Sequence, residues 1–172
     1  MESFVRFVRL LSNACGVFAA ALIGAAVVIV CEMVFVRYVL NENTIWQTDF
    51  VTYSLIAATF VGSPYVLMIR GHVNVDVLPY YVGRDKRWWL AVFALLLTLA
   101  FCVTITVLTF SFWKEAWDKN WVSDTMWRAR LWIPYASMPI GLGLLTLQCV
   151  ADLGMLLTGK EPPFGIRVER ST

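Results

Sequence analysis

His72 is the only histidine in the chain, and the four cysteines stand at Cys15, Cys31, Cys102 and Cys149. One imidazole excludes bis-histidine haem ligation. A serine–histidine hydrolytic pair would need His72 inside an apolar run, whereas it follows Ile69-Arg70-Gly71 at the edge of one. The cysteines all fall within or at the edge of apolar runs and lack CxxC spacing, so they read as small buried hydrophobes, not disulfides, metal ligands or redox pairs. No catalytic residue, metal site or cofactor is expected.

Ionisable side chains inside apolar runs are costly in lipid and mark ion paths or helix partners. Three qualify: Glu32, Asp49 and Asp152. All lie toward the ends of their runs, Arg37 near Glu32 and Arg70 or Lys160 beyond the inner ends. They read as interfacial carboxylates that reach water or pair with arginine. Asp49 is expected to favour the N-terminal dipole of its helix, with Arg37 as candidate partner. A cation-coupled carrier needs a carboxylate at mid-membrane, so this chain alone makes a poor transporter.

The elements that hold these residues follow from composition. Of 172 residues, 59% are hydrophobic and 15% charged, against about 45–50% and about 25% in a soluble domain. Four uncharged stretches, Ala14 to Cys31, Phe50 to Ile69, Trp88 to Trp113 and Leu131 to Ala151, are each near the roughly 20 residues that cross a bilayer core. The fold expected is an all-α integral membrane protein of four transmembrane helices in one domain, with spans at about 12–36, 46–69, 88–113 and 131–157 and a tail over 158–172. The first dozen residues, with Phe4, Phe7, Val8 and Leu11 alternating with Arg6 and Arg9, form either an amphipathic surface helix or a frayed tail.

Basic residues near the span ends favour cytoplasmic N- and C-termini: nine, from Arg6 to Arg170, fall on the inner side, against Arg37, Lys114, Lys119, Arg128 and Arg130 outside. A net charge of only +2 gives no reason to expect a nucleic-acid partner. Gly16, Ala20 and Gly24 form a small-residue stripe suited to a neighbouring helix, of the larger partner if one exists. Gly62-Ser63-Pro64 is expected to kink the second span, and Pro134 and Pro139 bracket the outer half of the fourth. Trp113, Trp117 and Trp121 would form one ridge if the third helix continues outward, lying among lipid headgroups or docking a protein.

Arg37, Trp46-Gln47-Thr48-Asp49, Gly62, the block Arg70-Gly71-His72-Val73-Asn74-Val75-Asp76-Val77-Leu78, Ile133-Pro134-Tyr135 and Pro139-Ile140-Gly141 follow in an order that resembles the DctQ-like family, the small membrane subunits of tripartite ATP-independent periplasmic (TRAP) transporters. The resemblance runs from about Arg37 to the fourth span. It departs at Asp49, where the family often has Glu, and at Tyr135, where it often has Trp. It implies a multi-pass protein of the bacterial inner membrane in a stable complex with a large elevator-type permease, which holds the sodium and substrate sites. A periplasmic solute-binding protein would be its transient partner, and a small organic anion, in this family usually a carboxylate, the cargo. The alternative from another class is a self-contained, homo-oligomeric exporter or channel.

Overall fold

A computed structural model describes residues 2–69 and 84–158. Among them the structure is helical: α1 (Glu2–Val39), α2 (Gln47–Met68), α3 (Arg84–Asp118), the single-turn α4 (Trp132–Tyr135) and α5 (Ser137–Leu157). Four helices are long and apolar enough to cross a membrane, α4 and α5 together supplying the fourth. A helix satisfies its own backbone polar groups, which a hydrocarbon solvent requires. Side-chain hydroxyls follow the same rule, with Thr52, Thr59, Thr98 and Thr104 donating to carbonyls one turn back and leaving nothing polar toward lipid.

α1 spans 38 residues, about 57 Å at 1.5 Å per residue, well beyond a hydrocarbon core of about 30 Å. Its first dozen residues do not turn along the surface but continue in line with the span. The reason is packing: Val8 and Ser12 are buried on the same side of the helix as Cys15, Ala19 and Ala26. Steps of four, three, four and seven along this seam are the 3.5-residue repeat of left-handed helix pairs. α2 lies against it, and Gly62 brings its backbone to Ala19, 3.1 Å from where a Cβ would stand.

The helices form an open row. α1 packs on α2, α2 on α5, and α5 on α3, with a smaller contact between α1 and α5. A third of the most apolar window of the fourth span is buried, against 11% for the third, so the α4–α5 span is the centre of the row and α3 its edge. Prolines shape both central helices. In α2 the Ser63 hydroxyl donates at 2.8 Å to Phe60 O, the carbonyl that the missing N–H of Pro64 would have taken. In the fourth span Pro139 cannot bond Tyr135 O, and the helix breaks at Ala136 into α4 and α5.

Candidate functional site

Several polar side chains of the spans bond one another. Toward the end of the bundle that holds the N-terminus, Ser12 donates to Gln148 Oε1 at 3.0 Å, and Gln148 Nε2 donates to Asp152 at 2.9 Å. Arg9 reaches Met155 Sδ at 3.5 Å. Gln148 is 1% exposed, so its full satisfaction matters: an unpaired amide there would cost about 1–3 kcal/mol. The bond from Ser12 ties α1 to α5, and the bond to Asp152, one turn on, stays within α5. Thr106 and Thr146 share a 3.2 Å bond between α3 and α5, at a level where the thiols of Cys102 and Cys149 lie near each other. Cys15, Cys102 and Cys149 are buried, as small hydrophobes should be, but Cys31 is exposed, because it falls off the α1 seam.

At the opposite end the sequence-derived partners are redistributed. Arg37 does not reach Asp49: its Nε donates to Thr44 Oγ1 at 2.7 Å, within the turn that follows α1. Asp49, in the first turn of α2, accepts from the Thr125 hydroxyl. Thr125 belongs to a small hairpin between α3 and α4, closed by the Val122–Arg130 bridge and by Ser123 N–H to Ala129 O at 2.9 Å. Asp49 therefore pins this hairpin to the start of α2. The sequence carried no sign of the pairing, since the two residues lie 76 positions apart. Glu32 takes a 3.4 Å bond from Gln47 Nε2, and Trp46 marks the level of these groups with an edge contact to Phe50.

The tryptophan ridge is broken. α3 ends at Asp118, Asn120 takes φ 48°, and Trp121 folds back onto Phe112 with ring centres 5.5 Å apart. Trp113 and Trp117 stay adjacent on the helix, and both turn to Trp132: Trp113 Nε1 donates to its carbonyl at 3.1 Å, and Trp117 packs edge-on at 4.4 Å. The small-residue stripe is also divided. A Cβ on Gly16 would lie 2.5 Å from Tyr65 Cγ, so Gly16 serves the chain's own packing, whereas Ala20 and Gly24 face outward, Gly24 with nothing within 4 Å. A Cβ on Gly141 would lie 2.2 Å from Phe60 O, making it a close backbone crossing of α5 on α2. Pro134 keeps its carbonyl occupied by Ser137 Oγ. Arg70, Gly71, His72 and Asp76 lie outside the described residues.

A row of four membrane helices, with hydrogen bonds from α1 to α5 and from α3 to α5, defines the class: a polytopic membrane protein. The DctQ component family of the tripartite ATP-independent periplasmic transporters matches residues 26–159. The chain belongs to that family. It is also 25% identical to the C4-dicarboxylate TRAP transporter small permease protein DctQ of Vibrio cholerae, over 82% of this chain and 70% of that one. It is thus a small permease subunit of a TRAP transporter, a multi-pass protein of the bacterial inner membrane and not an enzyme.

Proposed function

We propose that the chain is the fixed partner of a large elevator-type permease, which it steadies during sodium-driven uptake of a small organic anion, delivered by a periplasmic binding protein. The observation that carries this reading is that Ser12 with Gln148 and Thr106 with Thr146 join helix to helix, while Asp49 with Thr125 ties α2 to the hairpin after α3. Polar groups used this way hold register, and groups that bind and release an ion must instead be free to exchange partners. A dicarboxylate cargo is supported by the printed name of the Vibrio relative. Both termini are assigned to the cytoplasm on the distribution of basic residues.

Candidate roles follow. Gly24 and Ala20 are offered to the larger subunit. For the binding protein, the outward surface is Trp117, half exposed, together with the hairpin residues Met126 and Trp127. Trp113 and Trp121 support that surface from behind. Co-expression with a large TRAP permease from the same organism tests the assignment. Affinity purification through this chain should recover the permease in stoichiometric amount, and recovery of the chain only as a homo-oligomer would favour a self-contained exporter or channel.

A further inference from the structure

Glu32 presents, on the membrane side of α1, a carboxylate with which no cation among the described residues pairs. It stands within the apolar span Phe4–Val39, and its side is exposed. Among the described residues its hydrogen-bond partner is Gln47 Nε2, at 3.4 Å, a long bond for a charged acceptor, and Arg37 is engaged by Thr44. Gln47 itself is 6% exposed, yet its Oε1 is buried without a hydrogen-bond partner. Glu32 and Gln47 together thus hold a surplus of acceptors and a single donor shared between them.

The position of this pair says from which side the missing donor comes. Glu32 immediately precedes the seam position Met33, whereas Arg9 and Gly16 immediately follow the seam positions Val8 and Cys15, so they lie on opposite flanks of α1. Arg9 meets α5 through Met155. The Glu32 flank therefore faces away from α5, on the side where α1 meets the start of α2. A carboxylate left unpaired beside hydrocarbon is unfavourable.

We propose that a lysine or arginine on a membrane helix of the larger permease lies against this flank and pairs with Glu32. The contact rests on the reading that the two subunits assemble. It is a match of charge: acceptors on this side call for a cationic donor on the other, and an arginine carries five N–H groups. Rotation of the Gln47 amide about its broad terminal torsion then offers Oε1 to the same cation, while Glu32 is released from Gln47 to bind the charge directly.

The test uses the co-expressed complex, purified through a tag on this chain. Glu32→Asp should keep permease recovery near wild type, Glu32→Gln should lower it severalfold, and Glu32→Lys should lower it at least tenfold, with the yield and helix content of the tagged chain unchanged. Full recovery with Glu32→Lys overturns the proposal. Should that variant fail to accumulate, p-benzoylphenylalanine in place of the exposed Phe35, one turn on along α1, reads the same flank in an otherwise native complex. An adduct on a permease helix, within a turn of a lysine or arginine, supports the contact; an adduct on lipid alone, on a segment with no such residue, or none at all overturns it. A wild-type preparation without permease would instead remove the assembly reading, and this contact with it.

Discussion

Three glycines illustrate how differently one residue type is used here. Gly16 and Gly141 are places where a neighbour occupies the space of a Cβ, the Tyr65 ring in one case and the Phe60 carbonyl in the other. Gly24 has open space. Gly16→Leu should accordingly destabilise the isolated chain by about 1–3 kcal/mol, the usual range for overpacking, read as a lower midpoint of thermal unfolding in detergent. Gly24→Leu should leave that midpoint unchanged, so any loss of permease recovery it causes reports on the partner. From sequence the two glycines were equivalent members of one stripe, because four-residue spacing does not say which side of a helix is already covered. Asp49 makes a related point. Its place in the first turn of α2 was legible, but its partner was a residue of the outer hairpin and not Arg37. Asp49→Ala should free Thr125, and limited proteolysis should then nick the chain faster between Trp121 and Leu131. The sodium dependence of the uptake that remains should keep its shape.

At the scale of elements, the four spans were legible because twenty apolar residues in a row have few alternatives. Their faces were not. A soluble helix shows its buried side as an apolar stripe, but α2 and α3 are apolar around their whole circumference, and the contrast that marks a seam is size instead of polarity. Ser54, Ala58 and Gly62 in α2, and Ala91, Cys102 and Ala116 in α3, are small buried positions, and Gln47 at the start of α2 and Pro64 are buried with them. The aromatic ridge failed for another reason, since nothing in Lys119-Asn120 announced that α3 would stop and the chain reverse. The attachment of α3 to the row depends on α5, at the level of Cys102 and Cys149. In a chain carrying Cys15→Ala and Cys31→Ala, iodine should therefore join Cys102 to Cys149 within one molecule, detected as loss of both thiols by mass spectrometry, and Cys149→Ala should abolish the product. Failure of the pair to close would place α3 elsewhere.

For the whole molecule, an open row of helices is a shape that leaves broad apolar surface for lipid and for a second protein. Side-chain pairs such as Ser12 with Gln148 keep the row rigid while it does so. A family resemblance supplied the reading that this surface serves a TRAP permease, and the match over residues 26–159 places the chain in the family. Topology is open to direct measurement: in a version lacking the native cysteines, a cysteine at Gly83 should label only from the cytoplasm and one at Asn120 only from the periplasm. The central claim is that the chain supports transport without carrying it out. Proteoliposomes containing the large permease, this chain or both, supplied with loaded binding protein and an inward sodium gradient, test it most directly. Uptake should appear only when both subunits are present, and uptake sustained by this chain alone would contradict the account.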